Sequence, residues 1–312
     1  MIKKVAVIGA GLMGHGIAQV FARNGCSVVL YDINDDLLNV AIERIRSNLR
    51  LSIEMGFEDE IVLDSILSRI RITTNLRDAV AEANFVTEAV PENISLKIEV
   101  FKEIDSATKD EAIMASNTSS LSISEIGRSI KKSDRLLMTH WFNPPYLIPV
   151  VEVVKGESTS EEAFQWTFQF LKEMGKEPVQ VLKQVPGLLV NRIQTAMFRE
   201  IVGLLEAGVA SAEDLDKAVS GSFGIRLAAI GPLATVDLAG VDLWYKGSKN
   251  LYPFFDNSPE PQKLLAEMVE KGFHGIKTGK GFFEYPADSQ PDIVKERDKK
   301  LLMLLNLLYK EK

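Results

Sequence analysis

Chemistry can first be read from His140 and Glu152. His140 closes the apolar run Leu136-Leu137-Met138-Thr139 and is followed by Trp141-Phe142-Asn143-Pro144-Pro145, where the double proline forces a turn. Twelve residues on, Glu152 interrupts the apolar strand pattern Val150-Val151-Glu152-Val153-Val154 and shares a face with Val150 and Val154. A carboxylate among valines is costly to bury without a partner. Two arrangements satisfy it: a solvent-facing place at a sheet edge, or a bond to His140 that holds the imidazole in one tautomer and raises its basicity. The other two histidines say less. His15 stands in the first turn of a helix, equally open to ligand contact and to solvent, and His274 lies in the glycine-rich Gly272-Phe273-His274-Gly275 and reads as structural.

A second pattern lies at the start of the chain. Gly9-Ala10-Gly11-Leu12-Met13-Gly14 follows the strand-like Val5-Ala6-Val7-Ile8 and opens a helix. Gly9 permits a tight turn, Gly11 lets the backbone approach a pyrophosphate, and Gly14 lets helix and strand pack closely. The free N–H groups at the helix start favour negative charge. The next strand, Val28-Val29-Leu30-Tyr31, ends in Asp32, 18 residues after Gly14. That spacing suits an acid that binds the adenosine ribose. A carboxylate accepts from a ribose diol but repels a 2′-phosphate, and the following Ile33 and Asn34 offer no cation. NAD is therefore expected over NADP, and nothing beyond the loop supports FAD. Beside a nicotinamide, a His/Glu pair suits alcohol oxidation, the base taking the hydroxyl proton as hydride leaves carbon.

The elements that must position these residues follow an α/β rhythm in the first half. Phe85-Val86, Ile113-Met114-Ala115 and Leu136-Leu137-Met138 read as further strands, with helices over 12–24 and 94–107, and late strands at Val150–Val154 and Pro178–Val181. The stretch from Asn34 to about Ile70 is long for one crossover, and Gly56 breaks it into a helical hairpin expected to project from the body. After Pro186-Gly187 strand signals nearly vanish. Helices are expected over 188–207, from a Ser211 cap, and along the stripe Leu264, Leu265, Met268 and Val269. The tail from Asp292 to Lys312 is apolar nearly all round at its end, which points to burial against protein or to a subunit interface rather than to a membrane surface. These patterns place an α/β domain before an all-α domain, with the boundary near residue 185.

Of 312 residues 46% are hydrophobic and 25% charged, and the net charge is −7. Two domains with ordinary cores fit that length, whereas nucleic-acid binding through bulk positive charge does not. One cysteine, Cys26, excludes a disulfide framework and a multi-thiolate zinc site, so no metal is expected. No stretch approaches the ~20 apolar residues of a membrane span. The N-terminus runs directly into a strand pattern without an apolar leader. The expected setting is cytoplasmic.

The motifs together resemble one family. The loop through Gly14 and Gly16, Glu88-Ala89-Val90-Pro91-Glu92-Asn93, Ser116-Asn117-Thr118-Ser119-Ser120, His140-Trp141-Phe142-Asn143-Pro144 through Glu152, Pro186-Gly187 through Asn191-Arg192, and Lys277-Thr278-Gly279-Lys280-Gly281-Phe282 carry it. The chain resembles the 3-hydroxyacyl-CoA dehydrogenases and their relatives lambda-crystallin and L-gulonate 3-dehydrogenase, over essentially its whole length. The resemblance implies an NAD-binding Rossmann-like domain over 1–184, a helical substrate and dimerisation domain over 185–312, and a homodimer. His140 then matches the general acid/base and Glu152 its orienting carboxylate. Ser119 and Asn191 match groups that hydrogen-bond the reacting oxygen. On the cofactor side stand Gly9, Gly11, Leu12, Met13, Gly14 and Asp32, with Glu92 and Lys97 beside the nicotinamide half and Asn117 along the cleft. Asn143 is grouped with them and helps to fix the environment of the histidine. Plainer readings exist: Ser119 and Asn117 as caps of a helix near Ser122, Asn191 facing water, Glu92 with Lys97 as a surface ion pair, and Lys280 as structural.

The resemblance implies oxidation of a short-chain L-3-hydroxyacyl-CoA to the 3-keto product. Arg44, Arg46 and Arg50 would face the CoA phosphates, although Asp35, Asp36, Glu43 and Glu54 on the same segment equally suit a solvated helix. The run Asn143 to Pro149 and Ile230-Gly231-Pro232-Leu233 look closer to the gulonate dehydrogenase and lambda-crystallin branch, whereas Ser116 to Ser120 and Lys277 to Phe282 look like the acyl-CoA branch. A free 3-hydroxy acid such as L-gulonate or carnitine is therefore the alternative substrate. A non-catalytic NAD-binding structural protein is the alternative of another class.

Overall fold

The computed structural model describes residues 3–309, so Met1, Ile2 and the last three residues of the tail lie outside the described chain. Two compact units divide it, Met1–Leu189 and Val190–Lys312.

The first unit is built on one sheet. Its strands are β1 (Lys4–Ile8), β2 (Ser27–Tyr31), β3 (Ile70–Thr73), β4 (Phe85–Glu88), β5 (Ile113–Ser116), β6 (Leu136–Trp141), β7 (Val150–Lys155) and β8 (Glu177–Val181), in the order β3-β2-β1-β4-β5-β6-β7-β8. All neighbours are parallel except β6 and β7, which are antiparallel and place His140 opposite Glu152. The chain order reverses between β1 and β4, which opens the crevice where such sheets bind ligands. The helices are α1 (Gly14–Arg23), α2 (Asp35–Glu54), α3 (Ile61–Leu67), α4 (Leu76–Val80), α5 (Ile94–Ala107), α6 (Ile123–Gly127) and α7 (Glu161–Glu173). Helices cover both faces, so the central strands read as continuous apolar runs. Val5, Val7, Phe85, Ala115 and Leu137 face one core, while Ala6, Ile8, Val86, Met114 and Met138 face the other.

Two expectations change here. The segment after Asn34 forms two helices, but α2 does not stand away from the body. Leu38, Ala41, Ile45 and Leu49 recur at helical spacing and are buried in the core that also holds α1. Strand β3, Ile70–Thr73, was not expected, because four residues at the end of a helical stretch carry little periodicity; pairing with β2 makes it a strand.

The second unit contains α8 (Val190–Glu206), α9 (Ala212–Val219), α10 (Ile225–Ile230), α11 (Pro232–Ala239), α12 (Val241–Leu251), α13 (Lys263–Glu270) and α14 (Gln290–Tyr309). Ser211 caps α9, its hydroxyl accepting from Asp214 N at 3.1 Å. Gln262 donates to Arg199 O at 2.9 Å and to Asp256 Oδ2 at 2.7 Å, tying the start of α13 to α8. On α14 Leu302 is buried whereas Met303, Leu304 and Leu307 are exposed, so this chain alone covers one side of the leucine-rich tail. No single helix among the described residues is long and apolar enough to cross a membrane.

Candidate active site

The glycine loop is shaped by contact. Gly9 has φ 102°, and a Cβ there would sit 2.7 Å from Ala89 O, because the loop crosses directly over the end of β4. A Cβ at Gly14 would fall 1.7 Å from Gly9 O, which only a bare backbone allows. Over Gly11 a Cβ would meet nothing within 4 Å, so the loop is open on the side from which a pyrophosphate would approach. Asp32 accepts from Ala10 N and from Ile33 N, each at 2.7 Å, which turns its carboxylate toward the loop. Leu12 is exposed and Met13 half-buried beside it. This cradle and its acid fit the two ends of an adenosine diphosphate.

His15, beneath the loop, is buried rather than solvent-facing, with Nδ1 2.8 Å from Gly11 O. Burial pushes its imidazole below the ordinary value against the raising effect of that bond, and Arg44 adds to the lowering.

Next along the crevice is a carboxylate cluster. Glu92 Oε1 accepts from Thr118 Oγ1 at 2.5 Å, Ser120 Oγ at 2.9 Å, and Ser119 N and Ser120 N at 3.2 Å. Partial burial works to raise its pKa, but these bonds and the charge of Lys97 hold it below the usual range. Lys97 is not at the surface, and it does not form the surface ion pair that the plainer reading allowed. It is buried, 2.6 Å from Glu88 Oε1 and 3.5 Å from Glu92 Oε2. Glu88 also takes Ser116 Oγ at 2.6 Å and Val90 N at 2.7 Å. Sequence reasoning passed over the pairing of Glu88 with Ser116; a carboxylate at the end of an otherwise apolar strand was the available signal. Ser122 caps α6 with its own hydroxyl, which leaves Asn117 and Ser119 to other work. Asn117 Oδ1 accepts from Trp141 N at 2.9 Å and so fixes the backbone just after the histidine.

His140 and Glu152 meet. Nδ1 lies 2.7 Å from Glu152 Oε2, and neither side chain is more than slightly exposed. The solvent-edge reading of Glu152 is thereby replaced. Leu189 N donates to the other oxygen at 2.8 Å. Leu188, just before it, has φ 50° and is buried, a left-handed turn held by its packing and by this bond. Phe142 packs edge-on against the imidazole at 4.6 Å between centroids. With Nδ1 committed to the carboxylate, Nε2 is the atom left for a substrate proton. Asn143 is exposed at the turn after β6, and Asn191 stands in the first turn of α8 in the second unit. Among the described residues no group of three or more His, Cys, Asp or Glu could hold a metal ion. His274 lies in a tight turn where its N–H donates to Thr278 Oγ1 at 2.9 Å, and Lys280 pairs with Glu284 at 3.0 Å.

A Rossmann-like nucleotide cradle next to a buried His/Glu couple defines a nicotinamide-dependent dehydrogenase of hydroxyl groups. The chain belongs to the 3-hydroxyacyl-CoA dehydrogenase family: residues 4–185 match its NAD binding domain and 187–285 its C-terminal domain. It is 37% identical over 316 residues to 5-formyl-3-hydroxy-2-methylpyridine 4-carboxylate 5-dehydrogenase of Mesorhizobium japonicum, with 99% of each chain covered. The solved structure of an enzyme of that name, described as an NAD+ dependent dismutase, matches with a TM-score of 0.91, 35% identity and 99% of each chain covered. Pig mitochondrial hydroxyacyl-coenzyme A dehydrogenase is 38% identical over 299 residues, covering 91% of this chain and 92% of its own. The structure of (S)-3-hydroxybutyryl-CoA dehydrogenase of Ralstonia eutropha matches with a TM-score of 0.74 and 36% identity, covering 91% of this chain and 99% of its own. The protein is an NAD-dependent oxidoreductase that acts on a hydroxyl group of a small organic substrate. The cytoplasmic expectation is corrected by the pig, human, rat and mouse relatives, all named mitochondrial. A single buried thiol suits any reducing compartment and so never separated the two.

Proposed function

We propose that the substrate is a small free organic acid bearing a hydroxyl group or a hydrated aldehyde, rather than a CoA thioester. The observation that carries this reading is the closeness of the structural match. The relative named for a free pyridine carboxylate matches with a TM-score of 0.91 over 99% of this chain, whereas structures of hydroxyacyl-CoA dehydrogenases match with 0.74 over 91% and 0.68 over 98%. NAD supplies the hydride acceptor. His140 Nε2 takes the hydroxyl proton, and Glu152 orients the ring and stabilises the imidazolium. Ser119 hydrogen-bonds the reacting oxygen, Asp32 holds the ribose, and the Glu92 cluster shapes the nicotinamide side. The helical second unit supplies substrate contacts and the homodimer interface.

NADH consumption with acetoacetyl-CoA and with free acetoacetate, and NAD reduction with L-gulonate, carnitine and 5-formyl-3-hydroxy-2-methylpyridine 4-carboxylate, test the proposal. Turnover of a free acid with the thioester inert is expected. Rapid turnover of acetoacetyl-CoA alone would return the protein to the acyl-CoA enzymes.

A further inference from the structure

The turn that joins His140 to Glu152, residues 142–149, is anchored at both ends. Asn117 holds the backbone of Trp141 at its start, and Glu177 N donates to Pro149 O at 2.9 Å at its end. Between them the turn reaches two other elements. Pro145 packs on α1 so tightly that a Cβ at Gly16 would lie 2.6 Å from Pro145 Cγ. From beneath comes Lys176, buried just before β8, whose Nζ donates to Pro145 O at 2.6 Å and to Ile148 O at 2.9 Å. The same ammonium lies 5.3 Å from the centre of the Trp141 ring, on the residue after His140.

We propose that Lys176 is a positioning residue: it clamps the turn after His140 against α1 and so sets the imidazole relative to the cofactor loop. This inference rests on the reading of His140 as the proton acceptor. Among the described residues its partners are two carbonyls and an aromatic face, with no carboxylate, so there the amine is buried without a counter-ion. Burial drives its pKa down to about 7, with Arg23 pushing the same way. An apolar side chain would fill the space without that cost, but it would leave the Pro145 and Ile148 carbonyls without this donor. The clamp joins the two halves of the chemistry. Gly16 lies on the helix opened by the glycine loop, and Pro145 lies on the turn that carries the histidine.

The test compares Lys176→Met, which keeps the stem and loses the donors, with Lys176→Arg, which keeps charge and donors. Amide hydrogen exchange of the whole protein is measured with NADH affinity and, on whichever substrate the unmodified enzyme turns over, kcat. In Lys176→Met the amides of Leu147 and Ile148 are expected to exchange on the order of tenfold faster while the other strands keep their protection. A kcat loss on the order of tenfold accompanies this, with NADH affinity within about twofold, and Lys176→Arg recovers part of it. Unchanged exchange in the turn, or a loosened turn with unchanged kcat, overturns the proposal. So does loss of protection throughout the first unit with NADH binding lost in step, the mark of a merely structural lysine. Should the methionine variant not fold, Lys176→Gln, too short to reach both carbonyls, is read in the same way. An enzyme that turned over none of the test substrates would refute the functional reading, while the exchange data would still decide whether the clamp exists.

Discussion

Leu189 donates its backbone N–H to Glu152 Oε1 at 2.8 Å, on the carboxylate whose other oxygen holds His140 at 2.7 Å. In Glu152→Gln the amide oxygen can still accept from Leu189, which turns the NH2 group toward Nδ1 and selects the wrong imidazole tautomer. A fall in kcat of about 10²-fold or more is expected, with NAD binding intact. His140→Ala is expected to lose at least ~10²-fold. Steady-state rates beside NADH fluorescence titrations check both, and near-normal turnover in either variant would remove the acid/base assignment.

Gly11 and Gly14 of the loop separate binding from folding. Gly14→Ala drives a Cβ into the Gly9 carbonyl, and a destabilisation of at least ~2 kcal/mol is expected in denaturant unfolding. Gly11→Ala meets open space, so its stability should stay within about 0.5 kcal/mol while NAD affinity falls, because the added methyl stands where the pyrophosphate approaches.

Asp32→Ala removes the acceptor of Ala10 N and the ribose ligand together. A rise in NAD Kd of about tenfold to a hundredfold is expected, with kcat at saturating NAD little changed. Isothermal titration with NAD measures this directly, and an unchanged Kd would remove Asp32 from the cofactor site.

His15 makes stability depend on pH. Its folded pKa lies below the ordinary value near 6.5, so below that pH the unfolded chain takes up a proton that the folded chain refuses. Its contribution is complete above about pH 6.5 and is lost as pH falls toward the lower folded value. Urea unfolding at pH 8 and 5.5 should show a smaller acid loss in His15→Asn, whose amide can still donate to Gly11 O. An equal loss in both proteins would show that His15 does not report its burial this way.

Legibility followed sequence distance. The loop and Asp32 could be read together because a strand, a turn, a helix and a second strand lie in unbroken succession. His140 and Glu152 were legible as residues but not as a pair, since two strands of suitable pattern do not reveal that they are neighbours and antiparallel. Glu88, Lys97 and Ser116 meet from β4, α5 and β5, and each alone reads as part of a helix or strand. Lys176 follows Gly175 and precedes Glu177, so composition alone suggests a wet turn; only the fold brings Pro145, Ile148 and Trp141 over it. The projection expected of α2 followed from the length of the stretch after Asn34 and the break at Gly56, whereas its apolar positions at helical spacing already marked a buried face.

The single antiparallel step in the sheet has a consequence for assembly. Because β6 and β7 are consecutive strands, the histidine and its carboxylate come together by closing a loop of a dozen residues, a low-contact-order event. The nucleotide crevice, by contrast, needs β1 to find β4, whose paired residues are about eighty positions apart. The hydrogen-bonded couple that moves the proton can thus condense as a local hairpin, before the long-range pairing that creates a place for the dinucleotide.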